Sequence, residues 1–360
     1  MTTSLSAPAS TTPLNLADLG WGPFFQSQLD EEAPPAWTPV RVMAVHKNAL
    51  DVAGPDFSGR IPPISDENDD EGAATVGDWL LADRTAKRAR RLLSRRSLFK
   101  RRAPGTARRI QLIAANVDTL FIVSSCNQDF NIARLERYLA LAREAEATPV
   151  VVLTKADLAD APADYARRTA KLLPGLFVET LNALSADEVS RLEPWCGCGQ
   201  TVALLGSSGG GKTTLVNAMT GSSRLATQAA REDDDKGRHT TTGRALHRLP
   251  AGGWLLDTPG MRELQLVDVK SGIDDVFADL VALGRQCRFS DCSHQGEPGC
   301  AIAAAAETGE IDGERLKRWR KLAAEEAFNA SSLAERRASE KRFGRLVKGV
   351  MAEKRRRRDM

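Results

Sequence analysis

A glycine-rich segment near the middle of the chain constrains its fold more than any other feature. Residues 206–213 read GSSGGGKT and fit the pattern G-x-x-x-x-G-K-[ST] without a mismatch. The apolar run TVALL precedes the segment, and the helix-forming run TTLVNAM follows it. Such a loop curls its backbone N–H groups around phosphate oxygens at the start of a helix. The alternative is a glycine-rich turn with a capping Thr, but the flanking strand and helix favour the phosphate-binding loop.

The residues of this loop have distinct predicted roles. Lys212 would reach the β- and γ-phosphates of a nucleotide and act in catalysis, while the Thr213 hydroxyl would ligate Mg²⁺. Thr214 would contact the α-phosphate. The predicted nucleotide-binding residues here are Gly206, Ser207, Ser208, Gly209, Gly210, Gly211, Lys212, Thr213 and Thr214.

Strand and helix patterns alternate before the loop. TLFIVSS is typical of a buried strand, ARLERYLALAREAEA of an amphipathic helix, and VVVLT of a second buried strand. This alternation predicts a parallel sheet with crossover helices, and therefore an α/β domain.

Two segments after the loop are predicted to sense the nucleotide. Residues 257–260 read DTPG after the apolar run WLL, so Asp257 would hold Mg²⁺ through water and Gly260 would offer its N–H to the γ-phosphate. Between this segment and the loop lies GRHTTT, where Thr240 or Thr241 would contact Mg²⁺ and the γ-phosphate. We favour Thr241.

Hydrolysis also requires a group that orients water. Many GTPases place Gln just after the DxxG segment, but this chain has Met261, which cannot polarise water. His239 is the nearest candidate substitute. Alternatively, His239 only shapes the loop in which it lies.

The residues Thr154-Lys155-Ala156-Asp157 follow the strand VVVLT and predict a guanine-reading segment. Asp157 would accept from guanine N1–H and the exocyclic amine, which adenine lacks, and the Lys155 stem would pack on the ring. A lone Lys-x-Asp also occurs in helix-capping turns, but here it shares an α/β domain with a phosphate loop and DTPG. The base-reading segment precedes the phosphate loop, so the usual order is permuted.

Three cysteines and a histidine within fourteen residues predict a metal site: Cys287, Cys292, His294 and Cys300. Three thiolates and one imidazole suit tetrahedral Zn²⁺, and a site without a vacant position is structural. The alternative is a set of buried free cysteines with an incidental histidine. Cys196 and Cys198 lack a partner pair, and we interpret them as loop cysteines.

The N-terminal third differs in character from the rest. Residues 1–36 are rich in Ala, Ser, Thr and Pro and predict a loose leader. Short β-like runs then predict a small barrel interrupted by the acidic loop DENDDE. Residues 84–109 hold twelve Lys or Arg and no acid, which favours nucleic acid as a partner over a solvated basic linker.

Composition excludes several classes of protein. The N-terminus lacks the basic start and apolar core of a signal peptide, and no apolar run approaches the roughly 18 residues of a membrane helix. The six cysteines show no framework of a small secreted domain. We therefore expect a soluble, cytoplasmic protein that does not contact a membrane.

The permuted order and its surroundings resemble one family, the circularly permuted, ribosome-small-subunit-dependent GTPases. The resemblance covers nearly everything from the barrel to the cysteine cluster. It rests on RRSLFKRR, AANVDTLFIV, NIARLERYL, VVVLTKADL, GSSGGGKTTLVNAM, GRHTTT, LLDTPGMREL and the metal motif. Thr154 stands where many GTPases have Asn, and we place Asn182 and Ala183 where the family's Ser-Ala backs the guanine.

The resemblance implies a multidomain α/β fold with an N-terminal OB-type β-barrel, a circularly permuted P-loop GTPase domain and a C-terminal zinc-binding helical domain. The expected boundaries are a flexible leader at 1–36, the barrel and basic linker at 37–109, the GTPase domain at 110–268, and the zinc domain with its basic tail at 269–360. One structural zinc per chain and Mg²⁺ with GTP are the implied cofactors.

The implied function is a GTPase that binds the small (30S) ribosomal subunit and its rRNA, assists late maturation, and hydrolyses GTP to GDP and phosphate with stimulation by the subunit. A monomer is implied. One alternative is a GTP-gated rRNA-binding assembly factor in which hydrolysis is incidental, motivated by Met261. A weaker one is an ATP-using P-loop kinase, for which no acceptor-substrate site is visible.

Overall fold

A computed structural model of the chain describes residues 14–29, 34–64, 71–102, 110–221, 244–257 and 269–330. The chain divides into two units, residues 1–265 and 266–360. The finer domain boundaries predicted at residues 36/37 and 109/110 stay predictions.

The first unit contains thirteen strands among its described residues. They are β1 (Trp37–His46), β2 (Ala49–Ala53), β3 (Gly59–Ile61), β4 (Trp79–Asp83), β5 (Arg88–Leu92), β6 (Leu98–Arg102), β7 (Ile110–Ala115), β8 (Thr119–Ser125), β9 (Thr148–Thr154), β10 (Phe177–Thr180), β11 (Thr201–Gly206), β12 (Arg244–Arg248) and β13 (Trp254–Asp257). Its helices are α1 (Pro23–Gln26), α2 (Ile132–Glu144), α3 (Pro162–Ala170), α4 (Ala186–Val189) and α5 (Lys212–Thr220), with 3₁₀ turns at Ala156–Leu158 and Ser190–Trp195.

The predicted parallel sheet runs in the order β10-β9-β8-β11-β13, with β12 antiparallel to β13 at its end. Strand β8 is buried along its whole length and β9 along all but its first residue. This burial explains their unbroken apolar runs, because helices cover both faces of such sheets. The phosphate-loop strand β11 therefore lies centrally, although strands β8 to β10 precede it in sequence.

The N-terminal strands continue from this sheet and surround a core of their own. Strand β1 pairs with β12, with β2 and with β4. Strand β3 pairs with β2, and β5 pairs with β4. Their shared core consists of Val40, Val42, Leu50, Val52, Ile61, Leu80 and Ala82.

The basic run is not a linker where it is described. Residues 88–92 form β5, and residues 98–102 form β6, which pairs with β7 beyond the predicted boundary at 109. Several of its cations have acidic partners: Arg90 with Asp83, Arg95 with Asp78, Arg96 with Asp118, and Lys100 with Glu71. The prediction of a basic linker is therefore wrong for residues 88–92 and 98–102, which form strands. The four acidic partners lie outside the run and reach it through folding.

The predicted loose leader is also wrong over residues 14–29. Leu19 and Phe25 are buried, and Trp21 packs edge-on against Trp79 with ring centroids 4.8 Å apart. The indole of Trp254 donates to the Asp18 carbonyl oxygen at 2.7 Å. The Ala-, Ser-, Thr- and Pro-rich composition of residues 1–36 did not indicate that these large apolar side chains are buried. Residues 1–13 and 30–33 lie outside the described part of the chain.

Arg41 joins three parts of the first unit. Its side chain is buried and donates to the carbonyl oxygen of Leu19 (2.7 Å), the carbonyl oxygen of Asn116 (3.3 Å) and the hydroxyl of Thr201 (2.7 Å). Burial lowers the pKa of the Arg41 guanidinium to about 10, so the group stays charged at neutral pH.

The second unit is helical where it is described. Its helices are α6 (Lys270–Val276), α7 (Ala278–Gly284), α8 (Ala301–Glu307) and α9 (Gly313–Ala330). Arg315 on α9 holds α6 and α7 together, because it donates to the Val276 carbonyl oxygen at 2.8 Å and to both carboxylate oxygens of Asp279 at 3.0 Å. Among the helices described in either unit, none combines the length and apolar character needed to cross a bilayer.

Two adjacent phenylalanines test whether the N-terminal segment is packed. Phe25 is 1% exposed and Phe24 is 40% exposed. We expect Phe25→Ala to lower the free energy of unfolding by about 3 kcal/mol, because it opens a cavity, and Phe24→Ala by less than about 1 kcal/mol. Urea unfolding of both variants measures the difference. Equal effects would contradict the packed segment.

Candidate functional site

The predicted nucleotide-binding segments meet at the carboxyl edge of the parallel sheet. Thr154 is the last residue of β9, Gly206 the last of β11 and Asp257 the last of β13, while Asn182 follows β10 closely. Ligands of open α/β sheets bind at this edge. The fold therefore brings together segments that are up to about a hundred residues apart.

The phosphate loop adopts a backbone that its glycines permit. A Cβ at Gly206 would lie 2.2 Å from the Val123 carbonyl oxygen on β8, so no side chain fits there. Gly209 and Gly211 have φ of 75° and 87°, in the left-handed region. Gly211 precedes α5, which begins at Lys212. The loop thus ends at the amino terminus of a helix, as the sequence predicts.

Lys212 lies over the loop. Its ammonium group donates to the carbonyl oxygen of Gly206 at 2.7 Å and also to that of Ser207. Thr213 and Thr214 are half-buried in the first turn of α5. Phosphate oxygens are stronger acceptors than carbonyls for an ammonium group, so a bound nucleotide would draw Lys212 away from these contacts.

Thr154 connects the base-reading segment to the phosphate loop. Its buried hydroxyl donates to the Gly210 carbonyl oxygen at 2.7 Å. A Cβ at Gly211 would lie 3.0 Å from the same hydroxyl oxygen, which shows how closely the two segments approach. The short Thr side chain therefore spans the gap where many GTPases use Asn.

The rest of the base-reading segment leaves its carboxylate accessible. Lys155 has φ of 58°, and this left-handed turn leads into the 3₁₀ turn that begins at Ala156. Asp157 is exposed within that turn. The Ala156 N–H points at the Leu181 carbonyl oxygen (3.4 Å), which places the loop after β10 beside the segment.

That neighbouring loop contains Asn182 and Ala183. The Asn182 N–H donates to the Glu188 carboxylate at 2.9 Å, and the Asn182 side-chain oxygen accepts from the Leu184 N–H at 2.9 Å. Ala183 is buried. The sheet thus puts the pair next to the base-reading segment; that they bind guanine stays a prediction.

Four predicted site residues cannot be placed in full. His239, Thr241 and Gly260 lie outside the described residues, as do Thr240 and Met261. The backbone of Asp257 pairs with Ala245, but its side chain also lies outside the description. Their roles in Mg²⁺ binding and hydrolysis stay predictions.

Comparison with known proteins identifies the family. The RsgA GTPase family model matches residues 92–267. A protein of Vibrio parahaemolyticus named small ribosomal subunit biogenesis GTPase RsgA 2 is 49% identical over 342 residues, which cover 95% of this chain and 94% of that protein. One of Mesorhizobium japonicum, named small ribosomal subunit biogenesis GTPase RsgA, is 49% identical over 328 residues, 90% of this chain and 93% of that protein.

The chain belongs to the RsgA GTPase family. It is accordingly a GTP-hydrolysing enzyme, as the sequence predicts.

Two solved structures share the fold. YjeQ from Thermotoga maritima is 24% identical with a TM-score of 0.57, covering 79% of this chain and 97% of that one. YloQ, described as a circularly permuted GTPase, is 20% identical with a TM-score of 0.55, covering 81% and 96%. With the mixed sheet and the cysteine cluster, these similarities confirm the predicted fold class.

This RsgA family member also brings its predicted metal ligands together. One sulfur or nitrogen atom from each of Cys287, Cys292, His294 and Cys300 lies within 4.8 Å of the other three. The Cys287 sulfur lies 4.0 Å from that of Cys300 and 3.5 Å from His294 Nδ1. Adjacent sulfurs around tetrahedral Zn²⁺ lie about 3.8 Å apart when each bond is about 2.3 Å. The donor set therefore fits zinc.

The backbone at the start of α8 donates hydrogen bonds toward two of the cysteine ligands. The Cys300 sulfur accepts from the Ala303 N–H at 3.4 Å at the start of α8. Burial raises the pKa of the Cys287 thiol, but the N–H groups of Ala301 and Ile302 and the thiols of Cys292 and Cys300 together lower it by more, so the pKa lies below its ordinary value. The pKa of the Cys292 thiol is instead raised to about 11, chiefly by burial. The thiolate is the form that binds zinc.

Glu297 is a residue of this site that the sequence analysis missed. Its carboxylate accepts from the N–H groups of Ser293 (2.9 Å) and Gln295 (2.7 Å) and lies 3.7 Å from the Cys292 sulfur. The Ser293 hydroxyl and these N–H groups lower the pKa of Glu297 to about 2. An acid three residues after the ligand His294 was the available signal.

The metal site yields a prediction on composition and stability. We expect one equivalent of zinc per chain in purified protein and its loss in Cys292→Ser, with a lower unfolding temperature, because metal binding contributes folding free energy. Cys198→Ser is the control, since Cys198 is exposed and outside the cluster. Mass spectrometry for zinc measures occupancy. Full occupancy in Cys292→Ser would contradict the assignment.

The Thr154 bond yields a second prediction. We expect Thr154→Val to lower the free energy of unfolding by about 1 kcal/mol and to weaken GDP binding, because the phosphate loop loses an anchor. Thr169→Val is the control: its hydroxyl is bonded at 2.8 Å to Tyr165 of the same helix, away from the site. It should lose similar stability but keep GDP affinity. Calorimetric GDP titration separates the two variants.

Proposed function

We propose that this chain binds the small (30S) ribosomal subunit and assists its late maturation, hydrolysing GTP to GDP and phosphate with stimulation by the subunit. The observation that carries the proposal is the Thr154–Gly210 hydrogen bond, which joins the predicted guanine-reading segment to the phosphate loop. The relatives' name supports the ribosomal partner, because the similarity spans nearly the whole chain.

In the proposed mechanism the loop positions the phosphates. Its N–H groups and the amino end of α5 would bind phosphate oxygens, and Lys212 would exchange its contacts with Gly206 and Ser207 for the β- and γ-phosphates. Thr213, Asp257 and Thr241 would hold Mg²⁺, which neutralises charge on the phosphates when bound.

The base would be selected at the neighbouring loops. The exposed Asp157 carboxylate would accept from guanine N1–H and the exocyclic amine. Ala156, Asn182 and Ala183 would line the base, and the Lys155 stem would pack on its face. Adenine offers no matching donor pair, so GTP would be preferred to ATP, which counts against a kinase that uses ATP.

His239 would orient the attacking water, since Met261 has no polar group for this task. We place the switch function with Thr241 in the same loop, and Gly260 would donate its N–H to the γ-phosphate. Water orientation by His239 would account for stimulation if the small subunit fixes the loop in its productive conformation.

Ribosomal RNA would bind at a defined part of the basic run. The turn between β4 and β5 exposes Arg84, Lys87 and Arg88, and within the described part of the chain no carboxylate pairs with them. Asp83 caps this turn through the N–H groups of Thr85 and Ala86. Such cations favour phosphate contacts. We propose a cytoplasmic monomer.

The test of the proposed function is phosphate release from GTP with and without isolated small subunits. We expect strong stimulation by small subunits, none by large ones, and loss of the stimulation in His239→Ala. In Asp157→Asn the side-chain amide would place a hydrogen-bond donor against the donor groups of guanine. The variant should therefore lose GTP turnover and gain turnover of xanthosine triphosphate. GTP binding without stimulation would instead favour the GTP-gated RNA-binding factor.

The RNA surface gives a separate prediction. Replacing Arg84, Lys87 and Arg88 with Ala should weaken subunit binding and reduce the slope of log affinity against log salt by about 2, since each phosphate contact contributes about 0.7 to 0.9. Replacing Arg167, Lys270 and Lys317 is the control, because each is paired with an acid of its own helix. An equal loss in both triple variants would contradict a specific surface.

A further inference from the structure

The carboxylate of Glu297 binds the backbone on both sides of a metal ligand. One of its oxygens accepts from the hydroxyl of Ser293 and from the N–H of the same residue at 2.9 Å, and the other accepts from the Gln295 N–H at 2.7 Å. Ser293 and Gln295 are the two chain neighbours of His294. A single side chain therefore fixes the peptide groups that flank this ligand.

The backbone of His294 has a conformation that needs such support. Its φ is 59°, in the left-handed region that residues with a Cβ rarely occupy. A residue stays there only where its surroundings impose the conformation. The carboxylate supplies that constraint, because one of its oxygens binds before His294 and the other binds after it. The left-handed φ in turn determines the direction in which the imidazole leaves the backbone.

The imidazole directs one of its nitrogens at the other ligands. His294 Nδ1 lies 3.5 Å from the Cys287 sulfur and 3.7 Å from the Cys300 sulfur. The ring packs against Trp319 of α9, with ring centroids 5.5 Å apart and planes inclined by 38°. This packing restricts the plane of the ring, whereas the backbone restricts the point at which the ring is attached. Both restrictions keep Nδ1 beside the sulfurs.

The carboxylate of Glu297 is not a fifth ligand in this arrangement. The ligand atoms that lie within 4.8 Å of one another come from the three cysteines and His294, and Glu297 is not part of that group. Its carboxylate lies 3.7 Å from the Cys292 sulfur. Three thiolates already exceed the charge of one Zn²⁺, so a carboxylate this near adds repulsion between like charges. The contribution of Glu297 must therefore come from its hydrogen bonds to the backbone.

We propose that Glu297 is a positioning residue of the zinc site, whose carboxylate holds the left-handed turn at His294 so that Nδ1 faces the cysteine sulfurs. Groups that orient metal ligands in this way contribute to metal affinity. Glutamine is almost the same size, but its single oxygen cannot replace two carboxylate oxygens that bind on opposite sides of His294. The inference concerns the second unit and does not depend on the proposed function.

The test is a double-mutant cycle on the full chain, with zinc affinity measured by competition against a chromogenic chelator. We expect Glu297→Gln to weaken zinc binding about tenfold when His294 is present. In a His294→Ala background the same change should alter the affinity by less than about twofold, because no imidazole remains to be positioned. Glu307→Gln is the matched control, since Glu307 is exposed at the end of α8, and it should bind zinc like wild type.

A second cycle with Ser293→Ala makes a milder change. It removes the hydroxyl bond to Glu297 but keeps both N–H bonds, so the loss of affinity should be roughly threefold with His294 and absent without it. Equal losses in the two backgrounds would overturn the inference, because Glu297 would then stabilise the whole segment rather than His294. Unchanged affinity in Glu297→Gln would overturn it as well. If Glu297→Gln does not fold, the Ser293→Ala cycle alone decides between these outcomes.

Discussion

The first unit depends on a buried guanidinium. Arg41 has no carboxylate at hydrogen-bond distance among the described residues, so its charge is stabilised by two carbonyl oxygens and the Thr201 hydroxyl. A buried charge is costly unless it is hydrogen-bonded, and because the Arg41 Nε–H is buried without a partner from the described part of the chain, the compensation comes from the bonds made by the two terminal nitrogens. Each acceptor comes from a different part of the chain: the N-terminal segment, the residue after β7 and the first residue of the phosphate-loop strand. The need to solvate one cation therefore fixes the position of β1 relative to the central sheet.

That sheet explains why the permuted order is compatible with nucleotide binding. Residues at the carboxyl edge become neighbours through strand pairing, whatever their order along the chain. Strand β8 pairs with both β9 and β11, so the ends of those two strands are one strand apart. The Thr154 hydroxyl then reaches the Gly210 carbonyl oxygen across β8. New chain ends elsewhere leave this geometry intact, because it depends on hydrogen bonds between strands rather than on loop connectivity.

Local motifs were predictable from the sequence because they encode their own geometry. The glycines of residues 206–211 and the cysteine spacing at 287–300 specify backbone and ligand positions within short segments. The acidic partners of the basic run were not predictable, because Asp78 and Asp118 reach Arg95 and Arg96 only through tertiary pairing. The N-terminal segment was misjudged for a similar reason: Phe25 and Trp21 anchor against Trp79, more than fifty residues away.

The two halves of the nucleotide site are prepared for their ligand to different degrees. The base half is held by bonds that no ligand needs to break, from Thr154 to the phosphate loop and from Asn182 to Glu188. In the phosphate half, Lys212 is bound to the carbonyl oxygens of its own loop and must exchange them for phosphate oxygens. Under the proposed function, base recognition would proceed with little reorganisation, whereas phosphate binding would require Lys212 to leave these contacts. Under that function, a nucleotide would be held by its base before Lys212 rearranges to contact its phosphates.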